Sequence, residues 1–215
     1  MISTMELVLA GADERDDLGA FVARAVRLDQ ATLVRLRTRS VEQIEVWAAT
    51  PFDVLATRTA AGHVTPADIT VNGTELLAGI AVSRQERIDP GTPKDLLWRG
   101  ALPPSDGWSL VDELPVEVLS ELADEGVKVA KENAGPKGTP PASLLDQSVL
   151  TVSGSGYSVK VPMRCLFALS GMGFLGGTPI PGDRVKVSAT DSWLRIDARF
   201  GAVVRRRHSL LPLLV

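Results

Sequence analysis

Residues that most enzyme chemistry relies on are scarce in this sequence. Its 215 residues include one cysteine, Cys165, and two histidines, His63 and His208. A single cysteine excludes an intrachain disulfide and gives no sign of an oxidising compartment. One thiol and two histidines make no zinc signature, so a metal site would need carboxylates from distant segments; none is predicted. Long hydrophobic runs are also missing. The longest apolar stretch, residues 161–175, is broken by Arg164 and rich in glycine. At about 15 residues it is too short to span a bilayer and reads as a buried helix. Residues 1–9 show no basic segment followed by an apolar one, so no secretory signal is expected. These absences point to a cytoplasmic protein with no membrane role and no cofactor.

Nucleotide and nucleophile motifs are absent as well. No P-loop occurs, because Gly135-Pro136-Lys137-Gly138 lacks both the spacing and the Lys-Ser/Thr pair, and there is no Gly-x-Ser-x-Gly elbow. The string Gly171-Met172-Gly173-Phe174-Leu175-Gly176 matches Gly-x-Gly-x-x-Gly. A dinucleotide loop needs a strand before its glycines and a helix after them, and here a helix precedes them, so helix termination is the better reading. Cys165 sits in an apolar helix and reads as a buried thiol. His63 follows Gly62 in an expected loop with no motif around it. Asp16 and Asp17 open a helix, where acids serve the dipole. No catalytic residue is assigned.

What the sequence does have is enough apolar content, 45%, for an extended core, together with uneven charge. Residues 105–146 carry nine acids against three bases, whereas residues 176–215 carry seven bases against three acids. The two segments read as solvated faces of one body or as surfaces for two partners.

Periodicity predicts a strand at 6–10 and a helix at 14–28 capped by Asp13, with Leu18, Phe21, Val22 and Ala25 on its buried face. Strands are expected at 32–37, 42–48, 52–59 and 69–71. Asn72-Gly73 then offers either a type I′ hairpin turn or the cap of a helix over 74–82, and the face shared by Leu76, Leu77 and Ile80 favours the helix. Residues 89–108 form a long connection rich in proline, holding Trp98 and Trp108. Pro115 opens a helix whose stripe is Val118, Leu119, Leu122, Val129 and Ala130. Residues 135–141 read as a linker. Hairpins at 149–161 and 184–200 flank a helix from Pro162 to Ser170, and 202–207 is a last strand. Two echoes link the halves: Leu28-Asp29-Gln30 with Leu145-Asp146-Gln147, and Ile69–Ala78 with Val159–Ala168, which sets Leu76 opposite Leu166.

The expected fold is therefore α+β, mainly antiparallel sheet with packed helices. The chain is either one compact domain or two pseudo-symmetric halves, 1–88 and 109–215, joined by the connection 89–108. The strings WRGALPPSDGW, LLDQSVLTVSGSG, VPMRCLFALSGMGFL, WLRIDARFGAVVRRR and TPFDVLATR resemble an uncharacterised protein family of actinobacteria. The resemblance spans nearly the whole chain, implies no activity, and transfers no functional residue.

Candidate partner-binding residues are Trp98, Arg99 and Trp108 in the connection, and Trp193, Arg195, Arg199, Arg205, Arg206 and Arg207 near the C-terminus. Loop tryptophans serve as interface anchors or pin a loop to its own core. The arginines suit phosphates or an acidic partner, or simply guard an edge strand. The apolar tail 210–215 docks on the core or extends a partner's surface. The leading functional expectation is a non-enzymatic interaction or regulatory protein with a protein partner or a second copy of itself. Nucleic-acid binding through the basic C-terminal hairpin is the lesser alternative. An enzyme whose site assembles only in three dimensions stays open, though the reading leans against it.

Overall fold

The computed structural model describes residues 5–83, 87–132, 140–177 and 180–207. The chain is α+β and divides into two units, Met1–Ala101 and Leu102–Val215. The division falls inside the connection 89–108. Residues 89–101 belong to the first unit and 102–108 to the second.

The first unit contains β1 (Glu6–Leu9), α1 (Ala12–Leu28), β2 (Leu33–Ser40), β3 (Gln43–Ala49), β4 (Leu55–Thr65), β5 (Asp68–Asn72), α2 (Gly73–Val82) and β6 (Arg87–Ile88). Strands β2, β3 and β4 form an antiparallel meander, and β5 adds to β2. Within the first unit, strand β4 pairs with two strands in turn along one edge. Residues 55–61 pair with β3, whereas 62–65 pair with β1, which also pairs with β6. Gly62 is the changeover, with φ of 153°. A Cβ there would overlap the Val8 carbonyl oxygen, so the two backbones meet this closely only because the residue is glycine. His63, expected in a loop, lies in β4 opposite Val8. The strand expected at 52–59 begins later, because Pro51–Asp53 form the turn that Thr50 closes by donating from its amide to Val54 O at 3.1 Å.

Helix α1 buries Leu18, Phe21, Val22 and Ala25, the stripe the periodicity predicts. Its cap is Gly11 rather than Asp13. Ala10 is still bonded to Ala61 O at 3.0 Å, so the chain turns straight from the sheet into the helix, and Asp13 falls in the first turn. Helix α2 starts as read: Asn72 Oδ1 accepts from the amides of Thr74 at 2.8 Å and Glu75 at 3.3 Å. The two helices pack together at Gly19, where a Cβ would lie 3.3 Å from Ile80 Cγ2.

The second unit contains β7 (Ser109–Pro115), α3 (Val116–Glu132), α4 (Ala142–Leu145), β8 (Ser148–Gly154), β9 (Tyr157–Pro162), α5 (Met163–Gly171), β10 (Arg184–Ala189), β11 (Trp193–Ala198) and β12 (Gly201–Arg206). Strands β10, β11 and β12 form a second antiparallel meander with β7 on its β10 side, and β8 and β9 are a separate hairpin. Strand β7 has no clean alternation to announce it, since its pairing with β10 shifts register between Val187 and Ser188. Pro115 closes this strand instead of opening the helix, and α3 begins at Val116. The buried stripe of α3 is Leu119, Ala123 and Gly126, and Val118 is exposed. Gly126 sets that face, because Met163 and Phe167 of α5 occupy the space a side chain would need. Most of the linker read at 135–141 lies outside the described residues, as does the apolar tail.

Helix α5 ends in a Schellman motif. Phe174 N donates to Leu169 O and Gly173 N to Ser170 O, both at 2.9 Å, with Gly173 at φ 69°. The Gly-x-Gly-x-x-Gly string is thus a helix terminator.

The echo between halves has a structural counterpart. Asp29 and Asp146 are both C-cap residues. Each precedes a strand, β2 or β8, that pairs antiparallel with a strand running directly into a helix, β5 into α2 or β9 into α5. Leu76 and Leu166 both have no exposed surface. Residues 53–82 and 148–171 share the order strand, strand, helix, but β8 and β9 pair with each other whereas β5 pairs with β2.

Substituting Gly62 by alanine is expected to lower stability by about 2–4 kcal/mol, through backbone displacement at the β1–β4 contact. Gly11→Ala, where a Cβ has no neighbour within 4 Å, should change it by no more than about 0.5 kcal/mol. Equal urea midpoints for the two variants would refute the assignment of the changeover to Gly62.

Candidate interaction surfaces

Strand β2 buries Val34 and Leu36 and turns Arg35 and Arg37 to the other face. Arg35 donates to both oxygens of Asp68 on β5, at 2.7 and 2.8 Å, and Arg37 approaches the same carboxylate at 3.6 Å. Hydrogen bonding to Asp68, helped by the charges of Asp68 and Asp95 and opposed by burial, raises Arg35 above an ordinary arginine. Its guanidinium lies over the Trp98 ring, 5.9 Å from the centroid.

Trp98 follows a short 3-10 turn, Asp95–Leu97, that is tied to the outer edge of β5. Asp95 Oδ1 accepts from Thr70 N at 2.6 Å, Lys94 N donates to Thr70 O at 2.7 Å, and Pro93 bridges to Val71. The connection thereby covers the edge strand's unpaired groups, as an edge requires. The indole of Trp98 donates to Gly100 O at 2.7 Å. Held from behind in this way, Leu96 is 97% exposed and Leu97 54%. Sequence reasoning chose Trp98 and Arg99 and passed over these two leucines. The available signal was an apolar pair inside a Pro/Gly-rich loop. Arg99 is exposed beside them.

A second feature of the first unit is an open groove of about 610 Å³ between α1 and α2. Gly19, Leu77, Ile80 and Ala81 line it, with Arg15, Asp16 and Ser83 as its polar groups.

In the second unit the chosen residues are engaged with their own fold. Trp108 is half-buried and donates to Pro104 O at 3.0 Å. Trp193 is buried on β11 beneath the Arg206 guanidinium, 4.8 Å from its ring centroid, and the two residues are register partners. Arg195 is held by Asp197 at 2.7–2.9 Å. Arg199 lies over Phe200, and Arg205 donates to Arg206 O at 3.2 Å. Arg207 donates to Thr190 O at 2.9 Å and Ser158 O at 3.0 Å and covers the Tyr157 ring, joining the β8–β9 hairpin to the β10–β11 turn. Lys186 and Arg184 face Glu113. The basic C-terminal region is thus paired in part with its own acid, Asp197 of β11, and in part with Glu113 of β7, which comes from the acidic segment of the sequence.

Charge sorts by secondary structure. The helices carry ten acids and six bases, a net of −4, whereas the strands carry six acids and eleven bases, a net of +5. Cys165 is buried. Among the described residues no three His, Cys, Asp or Glu side chains cluster as metal ligands, and no helix is long and apolar enough to cross a membrane.

Residues 103–210 match the model of the Domain of unknown function (DUF8185), which covers half the chain. The chain belongs to that family. Residues 2–100 match a second model, the Domain of unknown function (DUF8010). The two matches follow the two structural units. No curated protein matches the chain. Among solved structures it is similar to the DNA polymerase sliding clamp of Bacillus subtilis, at 12% identity and a TM-score of 0.59, covering 97% of this chain and 66% of the clamp. The DnaN sliding clamp (DNA polymerase III subunit beta) of Bartonella birtlesii, bound to griselimycin, matches at 13% identity and 0.56 over the same shares. Likeness at this identity establishes the fold alone, and the chain spans about two thirds of these clamps.

Asp95→Ala would leave the buried Thr70 amide without its acceptor, at a cost of about 1–3 kcal/mol. Urea unfolding should show that loss, and Trp98 fluorescence should become more exposed to a quencher. An unchanged midpoint together with unchanged quenching would contradict the tether.

Proposed function

We propose that this chain is a non-enzymatic interaction protein that acts through protein contacts. The observation that supports this best is the turn at residues 95–98. Two leucines face water on a segment whose backbone is tied to a sheet edge. A mobile loop would lose freedom on binding, whereas a tethered one has lost it already, so its apolar surface is presented ready for a partner. Likeness to sliding clamps over nearly the whole chain supports the same reading, since those proteins are polymerase subunits by name and therefore assemble with others. The test is retention of native cytosolic proteins by the immobilised full chain, with light-scattering mass in parallel. Specific retention or self-association, lost on Leu96→Asp, is the expected result. A strict monomer that retains nothing would overturn the proposal.

One observation favours a second reading, nucleic-acid binding: the strands carry a net +5. Many of these cations already face acids or aromatic rings of their own unit, which lowers the charge available to phosphates. In a gel shift at low salt, binding through Arg205 and Arg206 of β12 should weaken steeply as salt rises, with a shallower slope after their replacement by alanine. Absence of any shift at low salt removes this reading.

A further inference from the structure

We propose that Asn72 is a latent modification site: the β5–α2 junction protects its side-chain amide from conversion to aspartate and isoaspartate, and opening of the junction releases that conversion. Asn72-Gly73 is the one Asn-Gly pair in the sequence. Glycine leaves this chemistry least hindered, because no Cβ shields the amide nitrogen that must attack. In the reaction the Gly73 nitrogen loses its proton and attacks Asn72 Cγ. The N–Cγ bond forms, the Cγ–Nδ2 bond breaks, and ammonia departs with the proton, leaving a cyclic imide. Water then opens the ring. Attack at Cγ gives aspartate. Attack at the main-chain carbonyl carbon breaks the original peptide bond and leaves the chain running through the side chain, as isoaspartate. The sum is water gained and ammonia lost, with no oxidant or reductant.

The fold opposes ring closure at each atom involved. Gly73 N donates to Thr32 O at 2.9 Å, so the proton that must leave is held. Asn72 is extended, with ψ of 134°, and pairs with Leu33 of β2. That conformation turns the Gly73 nitrogen out of the plane of Cβ and Cγ in which the ring forms. Asn72 Oδ1 accepts from the Thr74 and Glu75 amides, which fixes the carboxamide over the first turn of α2. Nor can the backbone rotate in place. Gly73 is buried, with Thr32 Cγ2 and Val26 Cγ2 only 2.8 and 3.1 Å from where a Cβ would lie. The next residues are tied down as well: Thr74 Oγ1 donates to Gln30 O at 3.2 Å, and Glu75 Oε2 accepts from Thr92 N at 2.8 Å. Ring closure therefore requires the strand end and the helix start to part together.

The two products differ in consequence. Aspartate keeps the acceptor of the cap and adds a charge that suits a helix start. Isoaspartate inserts an extra carbon into the main chain between β5 and α2, so the pairing with Leu33 and the bond from Gly73 to Thr32 cannot both be restored. Chains that take this second route record an opening of the junction that they cannot reverse.

The test incubates the full chain at mildly alkaline pH with and without urea, followed by digestion in acid. Peptides spanning position 72 are then separated into asparagine, aspartate and isoaspartate forms and identified by mass spectrometry. Conversion in the folded chain should be about 100-fold slower than in urea, since a cap, a backbone bond and their packing must be lost together. Asn72→Asp should keep the urea midpoint of the wild type, whereas chains carrying isoaspartate at position 72, returned to buffer, should unfold at lower urea. Equal rates in folded and unfolded chains would overturn the protection, and absence of conversion in urea would overturn the site. Isoaspartate chains with the wild-type midpoint would overturn the irreversible step.

Discussion

In the first unit, the close approach of two backbones at Gly62 is what allows one strand to serve two sets of partners. Through residues 55–61, β4 continues the meander to β3, β2 and β5; through 62–65 it holds β1, and with it β6. Strand β1 in turn launches α1 after Ala10, whose amide is still bonded to β4. A side chain at position 62 would separate β1 from β4, because the Val8 carbonyl oxygen occupies the position a Cβ would take.

The second unit spends its basic residues differently from the way a charge count suggests. Arg207 binds two carbonyls and a ring at the junction of hairpin and meander, Arg195 closes on Asp197, and Arg164 of the buried helix α5 pairs with Asp146 at the end of α4. An arginine that holds backbone carbonyls or a carboxylate of its own fold keeps its charge but has fewer donors left for a ligand. Net charge along the sequence therefore overstates the basic surface. The opposite signs of helices and strands are the more durable electrostatic feature, since they follow from which elements bear the residues.

Several elements are legible in the order of amino acids alone. The buried face of α1, the Asn72 cap, the terminator at Gly173 and the hairpins around α5 depend on residues within a turn or two of each other, where side-chain period and local hydrogen bonds decide the outcome. The echo between halves is readable for the same reason, since both copies run a strand directly into a helix at Asn72 and Pro162. Partner-dependent features are not legible. Strand β7 lacks alternation because its register shifts against β10, and the face of α3 turns toward Gly126 because Met163 and Phe167 fill the space beside it.

The candidate surface divides along the same line. Sequence alone determined that the connection 89–108 is long, rich in proline and equipped with tryptophans, and that no local motif for catalysis is present. Tertiary structure decided that Trp98 turns back onto Arg35 while Leu96 and Leu97 face water. That outcome hangs on Asp95 reaching the Thr70 amide, 25 residues away in sequence. Contacts between distant segments leave no periodic trace in either segment, because each partner is conformationally unremarkable until the other is in place.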